Sequence, residues 1–287
     1  MAAPRVTVWH RHSGHRSKVI SKAMAEGIKA VEGRVGIRDA REYTGLGASR
    51  VAVFYGYHSE LVRIFHDHAD SPDHTVVYVD LGYWGRREGG TWSGYHKVSI
   101  DGRHPTAYFQ REVHPPDRFR QFDLEVRNRR SGDAILLAGM GPKAARAERL
   151  RVLAWEQKMV ARLRKHTGRP IIFRPKPSHR NPATIDGTRF SPASEPLDQL
   201  LERCHAVVTH HSNVAVDGLI AGVPCHCEAG VARSLSADGL DGLDDIDLPD
   251  LADRAQFGFD VAYCQWRVAE MHSGDCWRHL KAEGLVP

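Results

Sequence analysis

Apolar residues in this chain come in short, dense runs, and most runs are followed by a polar or glycine-containing turn and then a stretch with helical spacing. Residues 5–9 read as a first strand and residues 10–15, His-Arg-His-Ser-Gly-His, as a polar loop. Residues 16–31 then set Val19, Ile20, Ala23, Ala30 and Val31 on or near one side of a helix. Residues 35–38 make a short second strand. Residues 50–55 hold Val-Ala-Val-Phe-Tyr, dense in β-formers, followed by a Gly-Tyr-His-Ser turn and a helix over 60–69. Residues 74–80, with Val-Val-Tyr-Val in the middle, make another strand running into an aromatic, glycine-containing loop at 81–87. Residues 95–100 and 106–109 predict a hairpin around Asp101-Gly102. Further on come a strand at 133–138, one long helix over 144–166, a strand at 170–173, a helix over 196–204, and closing helices over 256–271 and 275–282. Repetition of strand, turn and helix implies parallel α/β architecture.

The most informative stretch is 206–224, AVVTHHSNVAVDGLIAGVP. A buried strand at 206–208 leads into Thr209-His210-His211-Ser212, then a helix over 213–220. Gly222 suits the helix end and Pro224 forbids its continuation. A helix start presents unpaired N–H groups and the positive end of a dipole, so a phosphate can sit there without a lysine. Ser212 or Asn213 would cap the helix or touch that phosphate, and Asp217, one turn in, can accept hydrogen bonds from a ribose diol. The same spacing also suits an ordinary βα turn with a Ser or Asn cap.

This stretch resembles the nucleotide-binding signature of GT-B glycosyltransferases, especially capsule-type and phage-encoded ones: strand, Thr/Ser-x-x-Ser, a small apolar helix with an acid, then Gly-x-Pro. Upstream, residues 170–177, Pro-Ile-Ile-Phe-Arg-Pro-Lys-Pro, are similar to the strand of those enzymes that ends in Arg-Pro-His-Pro, with Lys176 where His is usual. Residues 263–277 resemble the closing helices of phage-encoded members. The resemblance covers the C-terminal half reasonably and the N-terminal half weakly. It implies a GT-B-like α/β fold of two Rossmann-like domains facing a cleft: an acceptor-side domain over 1–131, a nucleotide-sugar-binding domain over 132–260, and closing helices over 261–287 that cross back onto the first domain. Donor contacts would come from Arg174, Lys176, Thr209, His211, Ser212, Asn213 and Asp217. The co-substrate would be a nucleotide-sugar, a UDP-sugar first, with no tightly bound cofactor and no metal, because fixed donors stabilise the leaving diphosphate.

Composition shifts this picture in two ways. Net charge is +5 and the pI near 9.0, while residues 235–253 alone hold seven Asp and no Lys or Arg, so the rest of the chain is more basic than the total suggests. A basic body suits a polyanion or a nucleotide-linked donor, and an Arg-favouring genome would produce the same balance. Five cysteines in an irregular pattern exclude a disulfide framework. Cys225-His226-Cys227 invites a zinc reading, but two cysteines alternating on a strand are more often core packing. No apolar run is long enough to span a bilayer and the first residues lack a signal-peptide core, so a cytoplasmic protein is expected.

Chemistry in the first half centres on strand ends, where parallel sheets bind ligands. Inverting sugar transfer requires a group that takes a proton from the attacking hydroxyl. Asp80, ending a buried strand beside an aromatic loop, has the right type and position, and His58 at the neighbouring strand's end is its rival. His15, Tyr57, Tyr83, Trp84 and Arg118 are the candidate acceptor contacts. Aromatics interleaved with arginines can stack on bases or sugars, or simply pack an insertion. The resemblance to phage-encoded members, with the basic first half, favours a hydroxymethylated pyrimidine in double-stranded DNA as acceptor. The alternatives are a capsule-type polysaccharide acceptor and a non-catalytic DNA- or sugar-binding protein on the same scaffold.

Overall fold

The computed structural model describes residues 5–89, 92–129, 132–177, 179 and 183–287. Contacts divide the chain into two compact units: one runs through Arg118 and resumes at Asp260, and the other spans Phe119–Phe259. Arg130, one of the basic positions before the second sheet, lies outside the described residues, as do most of residues 178–182.

In the first unit the elements are β1 (Val6–His10), α1 (His15–Glu32), β2 (Gly36–Asp39), β3 (Val51–Tyr55), α2 (Ser59–Ala69), β4 (Thr75–Leu81) and β5 (Tyr95–Ile100); the short α3 (Asp117–Arg120) then leads out of it. Strands β2, β1, β3 and β4 run parallel, and β5 joins β4 antiparallel. Alternation along the strands supplies two apolar faces. Val6, Val8, Val51, Val53, Val77 and Val79 pack with Ile20, Met24 and Ile28 of α1. Trp9, Ala52, Phe54, Val76 and Tyr78 pack with Leu61, Ile64 and Phe65 of α2. The hairpin expected around Asp101-Gly102 does not form: β5 pairs with β4 instead, residues 105–107 are a 3-10 turn, and the Asp101 carboxylate accepts from Val76 N at 2.7 Å.

The second unit contains β6 (Ala134–Ala138), α4 (Pro142–Ala147), α5 (Ala154–His166), β7 (Ile171–Arg174), β8 (Arg189–Phe190), α6 (Leu197–Glu202), β9 (Cys204–Thr209), α7 (Val214–Ala221), β10 (Cys225–Cys227) and most of α8 (Leu251–Tyr263). All five strands are parallel, in the order β10-β9-β6-β7-β8. Ile135, Leu137, Phe173, Ala206 and Val208 meet Met159, Val160 and Leu163 of α5. The long helix expected over 144–166 is two helices. Arg149 and Leu153 adopt left-handed φ values of 56° and 65°, which ends one helix and starts the next.

After α8 the chain returns to the first unit as β11 (Gln265–Arg267), α9 (Val268–Ser273) and α10 (Asp275–Ala282). Helix was expected at 264–267; the chain instead adds an edge strand antiparallel to β5. Trp266, Cys276, Trp277 and Leu280 complete the α1 side of the core. Helices α1 and α9 approach so closely that a Cβ on Gly27 would lie 1.9 Å from Met271 O. Among the described residues no helix is long and apolar enough to cross a membrane.

Candidate functional site

The second sheet reverses its winding between β6 and β9, since the chain first adds β7 and β8 on one side of β6 and then returns to add β9 and β10 on the other. Ligands of parallel α/β sheets bind outside the carboxyl ends of the strands at such a switch point. Two loops flank it here: Gly139-Met140-Gly141 after β6, and His210 to Asn213 after β9.

The first loop needs a glycine at 139 and is crowded by the Lys176 side chain at 141. A Cβ on Gly139 would come within 2.8 Å of the Phe173 ring and 3.1 Å of Glu156 Oε1, and one on Gly141 within 3.0 Å of Lys176 Cδ. Glu156, in the first turn of α5 and 1% exposed, accepts from Met140 N at 2.7 Å and so fixes this loop from below. Its other carboxylate oxygen is buried with no hydrogen-bond partner, and burial pushes its carboxyl above the usual range. Lys176, just past β7, is exposed and lies over Gly141.

The second loop is held by Thr209. This fully buried hydroxyl donates to Ala138 O at 2.7 Å and accepts from Ser212 N at 3.2 Å, so it ties β9 to β6 and shapes the turn. Ser212 Oγ accepts from Val214 N at 3.3 Å. The amides of Ser212 and Val214 are therefore already engaged, where the sequence alone suggests an open helix start. His211 Nδ1 lies 2.7 Å from His210 Nδ1, and Glu148 completes a three-residue cluster with them. His210 also stands edge-on to Trp155, whose indole donates to Glu228 at 2.8 Å. Asp217 is half-buried on α7 one turn beyond.

Arg174 has a different place from the one its motif suggests. It is 8% exposed, and its guanidinium donates to Ser191 Oγ at 3.0 Å, Pro192 O at 3.4 Å and Glu195 O at 2.8 Å. It braces the segment after β8. The Cys225 and Cys227 thiols are buried and free, and burial pushes the Cys227 thiol up to about 12. Neither belongs to a cluster of metal-ligating side chains among the described residues.

In the first unit the winding reverses between β1 and β3. The loops there are laced together. Arg11 Nε and His12 N both reach the Glu60 carboxylate, at 3.3 and 3.2 Å, and Arg16 donates to Tyr55 OH at 3.2 Å. Arg16 also lies over the Trp92 ring at 4.2 Å, with exposed His15 edge-on to the same indole. Asp80 is half-buried at the end of β4. One oxygen accepts from Tyr78 OH at 3.0 Å, the other from Leu81 N at 2.8 Å, and Lys97 sits directly opposite on β5. His58 precedes α2, with Nδ1 3.3 Å from Ser59 Oγ and 3.5 Å from Glu60.

Other candidate acceptor contacts have structural work. The Tyr57 hydroxyl is 2.9 Å from His66 Nε2, and its ring rests on Phe65. Tyr83 and Trp84 are 4% and 8% exposed, and both of their amides donate to Gln265 Oε1. Arg118 forks onto Glu270 at 2.7 and 3.2 Å, donates to Gln265 O, and stacks 4.1 Å over Trp266. It clasps the closing helices to the first unit. Sequence reasoning did not single out Glu156, Gln265 or His210. Glu156 carried no local signal, because it lies inside the single helix expected over 144–166 and becomes a first-turn acid only where that helix breaks; Gln265 and His210 meet Tyr83, Trp84 and Trp155, distant in the chain.

Two Rossmann-like units, with a C-terminal segment that leaves the second and completes the first, make the GT-B fold. Two solved structures of KpsC from Thermosulfurimonas dismutans share it. The beta Kdo 2,4 transferase matches with a TM-score of 0.53 at 12% identity, covering 92% of each chain. The beta Kdo 2,7 transferase matches with a TM-score of 0.52 at 12% identity, covering 96% of this chain and 99% of that one. No protein-family model and no curated protein sequence matches the chain.

Proposed function

We propose that this protein is a glycosyltransferase that moves a sugar from a nucleotide donor to a hydroxyl acceptor. The observation that carries the reading is the switch point of the second sheet. There a glycine loop, an exposed lysine and a helix start converge on one edge of a fold shared with two Kdo transferases. Lys176 and the loop over 211–213 would hold the donor phosphate, with the α7 dipole adding favourable potential. Asp217 would accept from the ribose diol. Arg174 and Thr209 would keep these groups in place without touching the donor. In the first unit Asp80 would take the proton from the acceptor hydroxyl, with His58 as the rival base.

A capsule-type glycan is the favoured acceptor, because the two KpsC structures that share the fold carry the name of a Kdo transferase. Modified double-stranded DNA rests on the resemblance to phage-encoded members and on net positive charge, and the charge support is thinned by arginines already paired internally: Arg11 with Glu60, Arg118 with Glu270 and Arg267 with Glu88.

The test incubates the protein with UDP-, TDP-, GDP- and CMP-activated sugars, each with a capsule-type oligosaccharide, with hydroxymethylated DNA or with plain DNA. Mass spectrometry of acceptors and released nucleotide reads the outcome. A sugar added to the oligosaccharide supports the reading, and one added only to hydroxymethylated DNA moves the acceptor to nucleic acid. Donor binding without nucleotide release under every combination would leave a binding protein and end the enzymatic reading.

A further inference from the structure

His114, His279 and Glu283 come together in the first unit, each offering one ligand atom, with the three atoms within 4.8 Å of one another. His114 follows the 3-10 turn at 105–107, while His279 and Glu283 stand four residues apart at the end of α10, so one helical face carries both. The His114 ring is fixed from behind. Asp260 Oδ1 accepts from His114 N at 3.3 Å and lies 3.1 Å from Nδ1, with both side chains buried. The Tyr263 ring stacks on this imidazole with centroids 4.2 Å apart. A carboxylate on Nδ1 selects the tautomer whose Nε2 carries the lone pair, the arrangement that orients histidines at metal centres. His279 Nε2 is buried with no hydrogen-bond partner, an expensive state for an imidazole nitrogen. The nearby cation, Arg118, is neutralised by its fork onto Glu270.

We propose that His114, His279 and Glu283 bind one divalent transition-metal ion of the zinc class, with Asp260 as the residue that positions His114. Two imidazoles and one carboxylate form a borderline donor set suited to zinc and unsuited to magnesium or calcium, which take oxygen ligands. Three protein ligands leave a fourth position for water. The ion would pin α10 to the segment that leaves the first sheet, and through α10 would hold Trp277 and Leu280 in the core.

The test uses the full chain after chelator treatment, titrated calorimetrically with zinc and, separately, with magnesium. Expected is one zinc per chain and no measurable magnesium binding. His279→Ala and Glu283→Gln should each raise the zinc Kd by at least about 100-fold, and Asp260→Asn by roughly 10- to 100-fold. His210→Ala, in the other cluster, should leave the affinity unchanged. Because His279 is partly buried, Glu283→Gln at the helix end decides the matter should His279→Ala not fold. Zinc binding that is absent in the wild type, equally tight in Glu283→Gln, lost in His210→Ala, or matched by magnesium would each overturn the assignment.

Discussion

Each Asp80 oxygen accepts one internal hydrogen bond, from Tyr78 OH and Leu81 N, which holds the carboxylate at the strand end in a fixed pose. Asp80→Asn keeps the shape and removes the basicity. It is expected to leave donor affinity unchanged and to slow transfer by roughly 10²- to 10⁴-fold, the range of general-base contributions. Calorimetric nucleotide binding beside single-turnover rates checks this, and an unimpaired rate would shift the base to His58. Lys176 and Arg174 separate in the same way. Lys176 is exposed beside Gly141, so Lys176→Ala should weaken nucleotide binding and leave Tm nearly unchanged. Arg174→Ala strands the buried Ser191 hydroxyl, removes the donors to Pro192 O and Glu195 O, and should cost about 2–3 kcal/mol in urea unfolding. His96 sets an acid limit. It is 1% exposed, its Nδ1 donates to Gly94 O, and burial pulls its pKa down to about 4. The unfolded chain takes up this proton first, near pH 6.5. Stability is therefore fully present above about pH 6.5 and drains as pH falls towards 4, by up to about 3 kcal/mol. His96→Gln should flatten that limb in unfolding curves taken between pH 7 and 4.

At the scale of elements, the end of α7 decides where β10 begins. Gly222 takes φ 84°, and Val223 N returns to Gly218 O at 2.8 Å, closing the helix before Pro224. A Cβ at Gly222 would lie 2.0 Å from Asn128 O. Gly222→Ala thus meets both a forbidden backbone region and a backbone collision, and a loss of at least about 3 kcal/mol is expected by chemical denaturation. This glycine was legible beforehand, because Gly-x-Pro after an apolar helical stretch is a local stop signal. The strands were legible for the same reason: Val-Ala-Val-Phe-Tyr and Ala-Ile-Leu-Leu-Ala can be buried on both faces of a sheet whatever follows. What escaped was decided by distant partners. The break between α4 and α5 needs Arg149 and Leu153 in left-handed conformations that no local preference favours. Residues 265–267 became a strand because β5 offered an open edge, and 95–109 failed to form a hairpin because β4 and β11 took both edges of β5. The site divides similarly. The loops after β6 and β9 follow from motif and winding, whereas the engagement of Arg174 and Arg118 with backbone and carboxylate partners does not show in their spacing.

At the scale of the whole molecule, the first unit depends on the chain's last residues. Cys264, Trp266, Met271, Cys276, Trp277, Leu280, Leu285 and Val286 are part of the same buried cluster as β1, β3, β4 and α1. Gln265 also satisfies the amides of Tyr83 and Trp84, and Glu270 neutralises Arg118. Removing this segment would expose one face of the sheet and free the outer edge of β5, two penalties that add in one place. A chain ending at Phe259 is therefore expected to lose native packing in the first unit even though every residue of β1 to β5 is present. The measurements are near-ultraviolet dichroism and binding of a hydrophobic dye, with loss of the first and gain of the second expected. Trp277→Ala grades the same dependence. Its fully buried indole donates to Glu32 at 2.9 Å, and truncation should cost about 3–5 kcal/mol. If the shortened chain kept a native near-ultraviolet spectrum, the return of the C-terminus would be decoration on a self-sufficient sheet, and the coupling inferred from the shared core would be wrong.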